Sequence, residues 1–162
     1  MISLKPVLNP MLAVGFLFAS CRADAVNLEF ESAWATPTFA LAKMGAGYFT
    51  LKNKTDTDIV ITGLSIPKDV ANKAELHETY MENDMAKMRH LEMPFVVKSN
   101  TSIECVPRGK HLMIMGLKRP LEVGSSFALT FELDTGESQT VTIPVQEKAG
   151  AKGDDHSHHH HH

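Results

Sequence analysis

Residues 110–117 read Lys110-His111-Leu112-Met113-Ile114-Met115-Gly116-Leu117. In an extended strand successive side chains point to opposite faces, so Leu112 and Ile114 share one face and His111, Met113 and Met115 the other. Two aliphatic residues on one side need a core to cover them. An imidazole followed by thioethers on the other side offers soft ligands to a metal, although methionine also fills gaps in apolar cores. Alone, the stretch establishes a half-buried strand. Its neighbours decide what the second face is for.

Outward from this strand the chain repeats short alternating runs separated by turn residues. Asn27 to Trp34, Tyr48 to Leu51, Ile59 to Ile61, Ala74 to Tyr80, Lys87 to Met93, Ser102 to Val106, Phe127 to Leu133 and Gln139 to Val145 all read as strands. Thr36-Pro37, Asn53 to Asp58, Pro94, Lys98-Ser99-Asn100 and Asp134-Thr135-Gly136 punctuate them, and Met81 to Ala86 reads as a polar break containing Asn83-Asp84. This predicts about eight or nine short strands, no long amphipathic helix, and an all-β antiparallel sandwich or barrel. A single domain is expected over residues 26–147.

The chain has 162 residues and a formal net charge of -3, which lacks the basic surplus of a nucleic-acid binder. Six of its nine methionines fall between Met81 and Met115, and His77, His90 and His111, the histidines outside the extreme C-terminus, bracket the same region. The two cysteines are Cys21 and Cys105. Because Cys21 lies in a segment expected to be removed, no internal disulfide is expected and Cys105 reads as a small strand residue.

The two ends differ from the middle. Residues 1–25 read as a secretory signal peptide: Lys5 supplies the positive region, Met11 to Ser20 the apolar run, and Ala23-Asp24-Ala25 the cleavage site. Phe18-Ala19-Ser20-Cys21 loosely resembles a lipoprotein signal, with Phe where Leu is usual, so cleavage near Ala25 is preferred over lipidation at Cys21. Residues 148–162 are polar and end in His156-Ser157 and His158 to His162. This tail is either a purification tag or a native metal-binding tract, and it offers imidazoles to Cu(II) or Zn in both cases. The expected location is the periplasm.

Thioether sulfur is soft and neutral, and imidazole binds metal when neutral. Such ligands select Cu(I), whereas Zn draws thiolates or carboxylates and Mg or Ca draw oxygens. Outside the cell methionine also avoids the oxidation to which paired cysteines are liable. At this point the residues resemble a known family. Glu75-Leu76-His77-Glu78-Thr79, Met88-Arg89 and the 110–117 strand, followed by Lys118-Arg119-Pro120-Leu121, are similar to the PCu(A)C periplasmic copper chaperones. Ten residues separate His77 from Met88, twenty-two separate Met88 from His111, and one separates His111 from Met113, which matches that family's His, Met and His-x-Met spacing. The resemblance spans about Val26 to Val145. It implies a cupredoxin-like Greek-key β-barrel or sandwich that binds one Cu(I) through His77, Met88, His111 and Met113. It also implies delivery of copper toward the copper-site subunit of cytochrome c oxidase, beside a Sco-type thiol protein, by a chain that is monomeric and not an enzyme. Some members carry Met directly after the first His, where this chain has Glu78. His90 reads as a bystander, Met115 as a hydrophobic neighbour, and Met81 and Met85 as exposed turn residues.

Two other functions compete. A blue-copper electron-transfer site needs two His, a Cys thiolate and a weak axial Met, and His77, His111, Cys105 and Met113 supply those types. An extracellular β-sandwich binding module with incidental Met packing is the other. Motifs for hydrolysis, zinc proteolysis or phosphate binding are missing from the sequence.

Overall fold

The computed structural model describes residues 28–147, so the expected signal peptide and the His-rich tail lie outside the described residues. Within them are ten strands: β1 (Leu28–Ala35), β2 (Met44–Asn53), β3 (Ile59–Ser65), β4 (Lys73–Glu82), β5 (Met85–His90), β6 (Phe95–Val97), β7 (Ser102–Cys105), β8 (Lys110–Met115), β9 (Ser126–Leu133) and β10 (Ser138–Pro144). They form a six-stranded sheet in the order β1-β2-β7-β8-β4-β5 and a four-stranded sheet in the order β10-β9-β3-β6. The long β2 pairs with β8 through Met44 to Gly47 and with β7 through Phe49 to Lys52. A parallel bridge between Ala35 and Val145 joins the two layers at one corner. The all-β, single-domain sandwich is the architecture expected from strand spacing.

The core lies between the sheets because each strand alternates apolar and polar residues. Leu76, Leu112 and Ile114 are at most 1% exposed and face inward from β4 and β8. Phe30 on β1, Phe49 on β2 and Phe131 on β9 meet across the layers, with ring centroids 4.9 Å (Phe30–Phe131) and 5.7 Å (Phe49–Phe131) apart. At the end of β2 the buried Asn53 side chain donates to the Val97 and Thr57 carbonyls and accepts from the Thr55 backbone N–H. It thereby ties the larger sheet to β6 of the smaller one without leaving a buried amide unpaired. Gly116 ends β8 at φ 68°, with Asn72 packed where a side chain would project.

Three details depart from the sequence reading. The three residues of β6, directly after Pro94, are too few for alternation to register, yet they pair with Ile59 to Ile61 of β3. The supposed polar break at Met81 to Ala86 is a continuous hairpin whose turn is Asn83-Asp84, with φ 52° and 60°. Positive φ at both central residues is the geometry that suits the strand twist. In β1 a bulge between Glu31 and Trp34, with Ser32 at φ 51°, reverses the parity and sets Trp34 opposite Tyr48.

Candidate metal centre

Register determines which side chains share the outer face of the larger sheet. On β8 the inward positions are Leu112 and Ile114, so His111, Met113 and Met115 face outward. Strand β4 pairs with β8 so that His77 stands opposite His111 and Glu75 opposite Met113. Strand β5 pairs with β4 so that His90 stands opposite His77 and Met88 opposite Thr79. The outer face therefore carries a row of three imidazoles, His111, His77 and His90, with ring centroids 6.2 Å and 5.4 Å apart. Met113 lies one step to one side of the row, on β8. Met88 lies one step to the other side, on the edge strand.

Of the four residues expected to hold copper, His77, His111 and Met113 are neighbours on two paired strands. Met88 is as far from the His77 row as Met113, two residues or about 7 Å of strand, but on the other side of it. It is 55% exposed on a strand whose every residue is exposed. Local hydrogen bonds determine which ring nitrogens are available. His111 is buried, and its Nδ1 donates to the Gly109 carbonyl at 3.0 Å, leaving the Nε2 lone pair free. The Nε2 of His77 donates to Glu75 at 3.1 Å, leaving Nδ1 free. A carbonyl and a carboxylate only accept, so both tautomers follow from their partners.

Charges are arranged around this row on both faces. Lys73 is the main reason the Glu75 carboxyl lies below the usual carboxylate range; partial burial opposes it and the His77 bond adds to it. On the inner-facing side of β4, Glu78 pairs with Arg89 at 2.6 Å and Lys110 at 3.0 Å, which also hold its carboxyl low. This clamp joins β5, β4 and β8 next to the three imidazoles while keeping Glu78 itself away from the ligand face. Among the described residues no three His, Cys, Asp or Glu side chains form a group able to hold a metal. A site here with three or more protein ligands has to recruit sulfur.

Beside Met113, on the same outer face, Ala46 and Met44 of β2 stand opposite Met113 and Met115. An apolar groove of about 350 Å³ opens there, lined by Pro37, Phe39, Ala42, Met44, Ala46 and Met113 among others. Phe39 on its rim is 76% exposed. Sequence reasoning missed Glu75 as a member of the site, although its two-residue spacing from His77 places both on one strand face.

Cys105 lies elsewhere. It stands opposite the buried Phe49, hence on the core side of the sheet, and is 2% exposed. The thiolate that a blue-copper site requires is therefore on the opposite face from His77, His111 and Met113. Burial pushes the thiol up to about 12. Cys105 is expected to resist iodoacetamide at about pH 8, near the ordinary thiol value, and to react only after denaturation. Mass spectrometry with and without denaturant checks this, and rapid native labelling would overturn it.

The two-sheet β-sandwich is the cupredoxin-like fold of solved PCuAC proteins. Two solution structures of DR1885 from Deinococcus radiodurans share the fold. The apo form is 26% identical over 92% of this chain and 98% of its own, with a TM-score of 0.58. The form described as CuI-DR1885 is 28% identical over 81% and 87%, with a TM-score of 0.53. The copper-bound PCuAC domain of PmoF2, at 14% identity and a TM-score of 0.59 over 74% of this chain and 92% of its own, matches in fold. The family described as "Putative lipoprotein LpqE-like" matches residues 28–145. The chain belongs to this LpqE-like family and is a PCu(A)C protein. A curated relative is "Putative lipoprotein Lxx21020" of Leifsonia xyli subsp. xyli (strain CTCB07), 29% identical over 130 residues covering 80% of this chain and 75% of the relative.

Proposed function

We propose that this protein is an exported copper carrier that binds one Cu(I) on the outer face of its larger sheet and passes it on by ligand exchange. The observation that carries the reading is the opposed pair His77 and His111, each with one ring nitrogen tied to a local acceptor and the other free, beside the thioether of Met113. Two neutral nitrogens and a neutral sulfur suit a soft monovalent ion. Met88 completes the set by moving inward. Its strand β5 is the edge of the larger sheet and exposed at every residue, and motion is cheap in such a segment.

Neutral ligands on an open face also suit release, because an acceptor's thiolates can replace the thioethers one at a time. The apolar groove beside Met113 gives that acceptor a surface to rest on. By family resemblance the acceptor is the copper-site subunit of cytochrome c oxidase, with a Sco-type thiol protein acting beside it, and the location is the periplasm. The word lipoprotein in the descriptions of the family and of the Leifsonia relative supports export and adds weight to lipidation at Cys21.

The test is an anaerobic Cu(I) titration against a competing chelator, using the full chain with the tail histidines His156 and His158 to His162 replaced by serine. One tight equivalent is expected, weakened about tenfold or more by Met113→Ala, the range seen when a metal site loses a supporting group. Absence of tight binding in this background would overturn the proposal.

A further inference from the structure

His90 was expected to be a bystander, yet it is the residue directly opposite His77, closer in register than Met88. The two rings are 5.4 Å apart, and the His90 side chain is 36% exposed against 14% for His77. Two imidazoles sharing one ion at cis angles of about 90–120° place their centroids roughly 4.5–5.5 Å apart, given nitrogen–metal bonds of about 2.0 Å. The 5.4 Å between His77 and His90 falls in that range. The 6.2 Å separation of His77 and His111 exceeds it and leaves room for thioethers.

We propose that His77 and His90 form a second, outward-facing copper position that takes the oxidised ion, Cu(II), and shares His77 with the thioether site. Imidazole nitrogen suits Cu(II), which tops the divalent affinity order, whereas thioethers favour Cu(I). The edge-strand location leaves the remaining coordination positions to water, so the ion stays exchangeable. Glu75 on His77 and Glu92, 3.8 Å from the Nδ1 of His90, supply negative charge near the pair. Because both positions use His77, a domain holds one copper at a time in either oxidation state. The shared ligand makes this inference rest in part on the proposed Cu(I) site.

The test uses the full chain with the tail histidines replaced by serine, and Cu(II) itself as the probe. One equivalent of Cu(II) is expected, with nitrogen hyperfine structure in its electron paramagnetic resonance spectrum. His90→Ala should lower Cu(II) affinity about tenfold or more and remove one nitrogen from that spectrum, while Cu(I) affinity changes less than about threefold. Prior loading with one Cu(I) should block Cu(II) uptake. Unchanged Cu(II) affinity and nitrogen count in His90→Ala would overturn the proposal, as would equal weakening of both ions, which would make His90 an ordinary ligand of one site. Met113→Ala separates the two readings. If it leaves Cu(I) affinity intact the Cu(I) site fails, while the His90 result stands or falls on the Cu(II) data. His90→Gln repeats the measurement with a polar side chain of similar size.

Discussion

His111→Ala is expected to lower Cu(I) affinity by about 100-fold or more, at the upper end of what loss of groups around a metal costs and above the effect of Met113→Ala. His111 is 7% exposed, and its Nδ1 bond to Gly109 holds the ring in one tautomer and one orientation. Alanine removes both a ligand and that preset geometry. A cation offered the remaining groups meets His77 alone as a fixed nitrogen. The substitution should cost the fold little, about 1 kcal/mol for one hydrogen bond whose acceptor becomes open to water. Chelator competition and denaturant melts on the same sample separate the two effects. A change of less than about threefold in affinity would exclude His111 from the site.

Phe131→Ala carries the largest expected effect on stability. Phe131 is fully buried and touches Phe30 and Phe49, so one ring from the smaller sheet is held by two rings from the larger. Removing it leaves a void between layers whose backbones are fixed by their own ladders. The expected loss is about 3–5 kcal/mol, which for a domain of this size lowers Tm by roughly 10–20 °C. Phe131→Leu, which keeps most of the volume, should lose under about 1.5 kcal/mol. The two variants should bind copper alike at low temperature, because the cluster lies on the opposite side of the sheet from the ligands. Thermal melts and a cold titration check both statements, and an alanine variant as stable as the parent would contradict the packing.

Much of this architecture was legible before any coordinates. Alternation in Lys110 to Met115 separated Leu112 and Ile114 from His111 and Met113, and the β4–β8 register keeps that division. Sequence parity could not anticipate the bulge in β1, because a single residue with positive φ, Ser32, inverts every side chain after it. Nor could it find β6, whose three residues are ordered by pairing with β3 rather than by their own pattern. His90 is the instructive case. A two-residue turn at Asn83-Asp84 pairs Glu82 with Met85 and, counting back along both strands, His77 with His90. The signal was the Asn-Asp dipeptide. Reading it as a break in the chain instead of a tight turn hides the register and prefers Met88 over His90 on the family's spacing alone.

The placement of the proposed ligands on the outward face, with Leu76, Leu112 and Ile114 sealed beneath them, bears on the proposed traffic between carrier and recipient. Filling or emptying such a site leaves the sandwich beneath it undisturbed. On the proposed function, a loaded and a spent carrier then differ in outline at the Met88 strand alone. Recognition has to rest on the ion and the few groups around it. A spent carrier, lacking the ion, then leaves the dock to a loaded one.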